Sequence, residues 1–256
     1  MKALLKLHLK ENIRGKSFIL FGILGGIVTL ILLSGGKISS SNNPTEAIIS
    51  QFGTQWKILS IIAGFAAVTV SMGTIEQHRK EKRTELLALH GLSLDRQLFG
   101  LALGNSLVSM VLAFILAIVL IIMIVIGDSP TNFWGLIGAL AIYLISTGLV
   151  SLLVSMMNLF VSSIFVAVLG VILVVIGSFH QLFQGLLLNQ GNIGGELIGK
   201  AMSIIPPLDV FNRLARTLFF LEYNSHQDLL IFLLFIWLIL TVLYFVSKGV
   251  ARRGQV

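Results

Sequence analysis

Apolar residues in this chain gather into long runs without Asp, Glu, Lys or Arg, and charged residues crowd into the short segments between them. Six runs stand out, at 17–34, 58–75, 97–126, 133–157, 159–188 and 229–247. Each is close to, or longer than, the ~20 apolar residues that carry a helix across a hydrocarbon core of roughly 30 Å. The pattern predicts an all-α integral membrane protein with six transmembrane helices. Runs 97–126 and 159–188 exceed a simple crossing, which predicts tilt, a broken helix or an extension beyond the lipid. Run 17–34 follows basic residues, as a signal peptide would. It is long for one and lacks a small-x-small cleavage signature, so it is read as a retained helix.

Composition agrees with the pattern. Hydrophobic residues make up 56% and charged residues 11%, against about 45–50% and about 25% in a soluble domain. The distribution of the 18 Lys and Arg residues gives a direction. With segment 1–16 in the cytoplasm, thirteen fall on the inside (Lys2, Lys6, Lys10, Arg14, Lys16, Arg79, Lys80, Lys82, Arg83, Arg96, Lys248, Arg252 and Arg253) and five on the outside (Lys37, Lys57, Lys200, Arg213 and Arg216). The positive-inside rule then places both termini in the cytoplasm. The net charge of +7 matches anionic inner-leaflet lipid and requires no nucleic-acid partner. With no cysteine there is no disulfide, thiolate metal site or cysteine nucleophile. His8, His78, His90, His180 and His226 lie apart without ligand spacing.

Before the first run, Lys2, Lys6, Lys10 and Arg14 repeat every four residues and would form one basic stripe on a helix along the cytoplasmic interface. On the outer side, 189–228 is the longest connection, and its middle is too apolar to leave in water. A helix after Pro206 and Pro207 would put Val210, Leu214 and Leu218 on one face. This segment is expected to dip into the membrane boundary, cap a pathway or pack on the spans. Within it, 194–201 nearly matches a phosphate-binding G-x-x-x-x-G-K-[ST] loop, but Ala201 offers no hydroxyl to magnesium and the topology puts the loop outside. No catalytic residues, cofactor site or metal site emerge from the chain.

The six runs have no charged interior residue, which speaks against an ion-coupled carrier. Small polar residues do recur, at Asn105, Ser106 and Ser109 and at Ser146, Thr147, Ser151, Ser155 and Asn158. They could line a pathway or join helices by hydrogen bonds. Gly100 and Gly104 form a G-x-x-x-G that permits close helix approach.

The most informative polar segment is 76–96, on the cytoplasmic side. If its first part is helical, Glu81 and Glu85 share one face and Arg79 and Arg83 another, so like charges are neighbours. Leu86, Leu87 and Leu89 follow directly. A solvated loop explains the charges but not the leucines, whereas a surface that docks a soluble protein explains both. The order Glu81, Thr84, Glu85, Leu86, Leu87, Ser93, Arg96, Gly100 resembles the loop between helices two and three in the ABC-2 permease family, the membrane subunits of type-2 ABC exporters. It differs in having Arg83 at the usual Gly, Gly91 near the usual Pro, and Leu94-Asp95 between Ser93 and Arg96.

That resemblance extends to the layout of an N-terminal interfacial helix, six spans and an apolar outer segment before the last helix. It implies that the chain is not itself an enzyme. It also implies that a separate cytoplasmic ATPase dimer holds ATP and magnesium, and that a second permease subunit, identical or homologous, completes the complex in a bacterial cell membrane. By the same resemblance Glu81, Thr84, Glu85, Leu86, Leu87, Leu89 and Arg96 belong to the coupling element. Residues 203–211, with Pro206, Pro207, Asp209 and Phe211, correspond to a re-entrant region. The cargo expected is amphipathic or hydrophobic, peptides, toxins or antimicrobials ahead of lipids and glycans. The alternative is an ABC-like membrane subunit that transmits force, or serves maturation or immunity, without bulk transport.

Overall fold

The computed structural model describes Ile23, Ile27 and residues 44–81, 83–89, 91–126, 133–188, 205–220 and 226–253. The expected interfacial helix at 1–16, all of run 17–34 apart from Ile23 and Ile27, and the phosphate-loop look-alike at 194–201 lie outside them. Every regular element among the described residues is helical: α1 Pro44–Ser71, α2 Thr74–Lys80, α3 Arg83–Leu89, α4 Leu94–Ile126, α5 Phe133–Met157, α6 Ser163–Ser178, α7 His180–Leu188, α8 Leu208–Phe220 and α9 His226–Arg253. Among the described residues, four stretches are long and apolar enough to cross a membrane: Gly53–His78, Leu94–Ile118, Phe133–Met157 and His226–Val250. A fifth crossing is present if α6 and α7, bent by 79° at their junction, count as one.

The charge-free runs locate these helices well where both ends are polar or small. Run 133–157 coincides with α5. Run 58–75 starts well inside α1, because Lys57 cut it short. In the structure the ammonium of Lys57 lies 4.3 Å from the centre of the Phe179 ring, so the cation is accommodated within the helix rather than ending it. Of the two overlong runs, 97–126 is one unbroken helix, whereas 159–188 is broken at Phe179.

Helices α4 and α5 form the central pair, α1 packs against both, and α6 lies along α1. Small residues set these approaches. A Cβ on Gly64 would stand 2.8 Å from Val174 Cγ1, and one on Gly170 would stand 2.7 Å from Val68 Cγ1. Each helix thus offers a glycine to the other's valine, one turn apart and in opposite directions. Helix α9 is the most peripheral, with 17% of its crossing segment buried and Leu230, Leu233, Leu234, Trp237 and Phe245 exposed. The outward face of α6 is similarly apolar, with Ile164, Phe165, Val168 and Ile172 exposed. A chain that leaves such faces open suits a lipid solvent.

Several polar side chains inside the bundle bond to neighbouring helices or to their own. Asn105 donates to Ser155 Oγ at 3.0 Å, Ser106 Oγ donates to the Gly148 carbonyl at 3.2 Å, and Ser71 and Ser151 hydroxyls meet at 2.6 Å. Ser109, Ser146 and Thr147 return their hydroxyls to carbonyls one turn back. Asn105, Ser106, Ser71 and Ser151 thus join α1, α4 and α5 by hydrogen bonds, as the helix-association reading of the polar stripe expects. Gly100 and Gly104 are buried on α4.

Candidate functional site

Two polar constructions lie at opposite ends of the bundle. The first is built on the segment between α1 and α4. Gly73, with φ +79°, closes α1 in the left-handed conformation that a side chain would resist, and α2 departs from that turn. Gly91, with φ +77°, closes α3 in the same way: the Leu92 amide donates to the Leu87 carbonyl at 3.0 Å, as in a Schellman end. Ser93 then starts α4, its carbonyl accepting the Gln97 amide.

The first part of 76–96 is therefore two short helices, α2 and α3, broken after Lys80. The break removes the like-charge pairing of Glu81 with Glu85, since the two no longer lie one turn apart on one helix. Unlike charges meet instead. Glu81 Oε2 pairs with Arg83 Nε at 2.5 Å, Gln77 donates to Glu81 Oε1, and Lys80 pairs with Glu76 at 2.7 Å.

Of the residues assigned to coupling, Glu81, Glu85 and Arg96 are exposed and Leu87 is half-buried, while Thr84 and Leu86 are placed by backbone only. Leu89 is 84% exposed. Sequence reasoning missed Glu76. Its Oε2 accepts the Ser163 amide at 3.0 Å and also the Ser163 hydroxyl, so α2 holds the first residue of α6 from 87 positions away. Ser162, at the N-cap position, makes no side-chain cap bond, and Glu76 fills that role. Nothing local marks this contact, since the carboxylate and the serine lie 87 positions apart.

The second construction is at the other end. Helix α8 begins at the Pro206-Pro207 pair, and the Pro207 carbonyl accepts the Val210 and Phe211 amides at 3.0 and 3.2 Å. Val210, Phe211 and Leu214 are buried, and Leu218 packs against the core as its spacing predicts. Phe211 meets Phe232 and Phe235 of α9 edge-on, at centroid distances of 5.0 and 6.1 Å. Gly177 lets the proline pair approach, since a Cβ there would lie 2.8 Å from the Pro206 carbonyl oxygen. Asp209 Oδ2 accepts the Gln181 amide at 2.8 Å, capping α7 just beyond the bend.

Arg213 grips Asp228 with Nε and Nη2, both at 2.8 Å, and ties α8 to the start of α9. The Asp228 carboxylate holds the Arg213 guanidinium charged even more firmly than usual. Asp228→Ala is expected to lower stability by about 1–3 kcal/mol, because it strands a half-buried guanidinium. Replacing both partners together, as Arg213→Leu with Asp228→Leu, should cost less than Asp228→Ala alone. Thermal unfolding of the purified variants in detergent checks the order; equal losses would show that the pair does not act as a unit.

Neither protein-family models nor curated proteins compared with this chain give a match.

Proposed function

We propose that the chain is the membrane subunit of an ATP-driven exporter of the ABC-2 type, working with an ATPase on another polypeptide. The observation that carries the reading is the α2–α3 segment. It carries the exposed Leu89 one turn from the exposed Glu85 on α3, and it is tied through Glu76 to a bundle helix. A surface of that kind suits capture of a soluble partner and transfer of its motion to α6. Both termini are assigned to the cytoplasm, with the α8 end outward, and α8 caps the outer end of the bundle. The cargo favoured is an amphipathic or hydrophobic molecule, with peptides first.

Leu87 and Leu89 are the groups to test, since burying a leucine contributes about 1.5–3 kcal/mol whereas an exposed ion pair contributes about 0–1. Leu87→Ser with Leu89→Ser is expected to leave insertion intact and to abolish co-purification of an ATPase from mild detergent. Glu85→Lys should weaken it less. Wild-type association of the double serine variant would place the docking surface elsewhere. An absence of any ATPase in wild-type preparations would remove the exporter reading altogether. Substrate-stimulated ATP hydrolysis in liposomes separates an exporter from a subunit that only transmits force.

A further inference from the structure

Lys57 belongs to the crossing Gly53–His78, and two measures place it below the membrane surface. Its neighbour Trp56 packs on Tyr143, ring centroids 5.3 Å apart, and Tyr143 lies about 15 Å along α5 from Phe133. The second measure runs from the other end of the bundle. Helix α6 starts at Ser163, held by Glu76 just past the end of α1, and its 16 residues rise no more than about 24 Å before the bend at Phe179. A hydrocarbon core is roughly 30 Å thick. The bend, with the Lys57 ammonium over the Phe179 ring, therefore falls inside that layer, in the half nearer α8.

A cavity of about 400 Å³ lies at this depth among α1, the bend and α8. The polar stripe of α8 formed by Asp209, Asn212 and Arg213 lines one side. Asp209 accepts the Gln181 and Val210 amides, and Arg213 is gripped by Asp228. Two other lining groups have no such answer among the described residues. No carboxylate pairs with Lys57, whose neighbour is the face of a phenyl ring, and the Asn212 side-chain nitrogen is buried without a hydrogen-bond partner. An ammonium carries three donors, of which a ring face answers only part. In hydrocarbon that deficit is costly, and so is a buried amide with no acceptor. Water answers both, and the volume has room for on the order of ten molecules. The Arg213 side chain is 37% exposed beside the start of α9, so the cavity is open at that end.

We infer that this cavity is a water-filled recess sunk into one leaflet, open at the α8 end and reaching down to Lys57 and Asn212. Its hydration stands whether or not the chain is an exporter. The side to which it opens rests on the proposed topology, which makes it the outer one. A wet recess at that depth lets a polar group reach the outer medium without crossing the whole leaflet.

The chain has no cysteine, so single cysteines report on water directly. Lys57→Cys and Asn212→Cys are compared with His226→Cys, exposed at the start of α9, and with Leu233→Cys, 55% exposed on the apolar face of α9 about 10 Å further along. The reagent is a charged, membrane-impermeant methanethiosulfonate, applied to intact cells and to inside-out vesicles. It attacks the thiolate, which forms in water and not in lipid. From outside, Lys57→Cys and Asn212→Cys should therefore react about tenfold or more faster than Leu233→Cys, approaching His226→Cys. Should Lys57→Cys fail to accumulate, Asn212→Cys carries the same comparison. Reaction no faster than at Leu233→Cys from either side would show a dry cavity and overturn the inference. Fast reaction at Leu233→Cys as well would overturn the depth. Reaction in inside-out vesicles alone would keep the water and overturn the outward opening together with the topology.

Discussion

Gly64→Ala is expected to be among the most damaging single methyl additions in this protein, with Gly170→Ala its counterpart on the facing helix. The new Cβ would stand 2.8 Å from Val174 Cγ1 in the first case and 2.7 Å from Val68 Cγ1 in the second. Valine on a helix has essentially one side-chain rotamer, so it cannot swing aside as a methionine would. The helices must separate instead, and overpacking of this kind costs about 1–3 kcal/mol. Gly148 provides the contrast. A Cβ there would meet Met110 Cε at an even shorter distance and Ser106 Oγ at a similar one, but both are side-chain ends able to move. Gly148→Ala should therefore cost less than Gly64→Ala despite the tighter geometry. Pairing Gly64→Ala with Val174→Ala should recover about 1–2 kcal/mol relative to the sum of the single losses. Thermal unfolding of the four proteins in one detergent measures the cycle, and strict additivity would mean that the two residues do not interlock.

That interlock shows where the sequence stopped being informative. Gly64 and Gly170 are two of 25 glycines and belong to no G-x-x-x-G motif; each matters because of a valine about a hundred positions away. Hydrophobic runs, by contrast, are a local signal, and α5 could be read to the residue because no charge intrudes. The start of α1 could not be read, because Lys57 is compensated by Phe179, a partner the pattern does not reveal. The break in run 159–188 showed only as excess length. Its position is set by Asp209, which caps α7 from another helix, and by Gly177, which admits Pro206. At α8, prolines, spacing and apolar face all lie within one segment, and the expected helix is there. Its polar stripe was visible as residues but not as a cavity wall, since Lys57, Trp56 and Phe179 come from elsewhere in the chain.

The coupling end gives the most discriminating functional prediction. Glu76 stands on α2, one turn past the end of α1, is hydrogen-bonded to α6, and belongs to the α2–α3 segment proposed to receive the ATPase. Glu76→Ala would leave Leu87 and Leu89 untouched, so ATPase association should persist, while transport-linked ATP turnover should fall about tenfold, as expected for loss of a coupling free energy of about 1–2 kcal/mol. The same change uncaps α6, so a stability loss of about 1 kcal/mol is also expected. The ion pair with Lys80 adds little, because Lys80 is 73% exposed. A second substitution separates the two effects. Ser162→Asp in the Glu76→Ala background supplies an acceptor and a negative charge at the α6 N-terminus from α6's own flank, which should restore the melting temperature. It cannot restore the link to α2, so turnover should stay low. If Ser162→Asp rescues turnover together with stability, Glu76 is a helix cap and no more, and motion from the cytoplasmic segment must reach the bundle by another route.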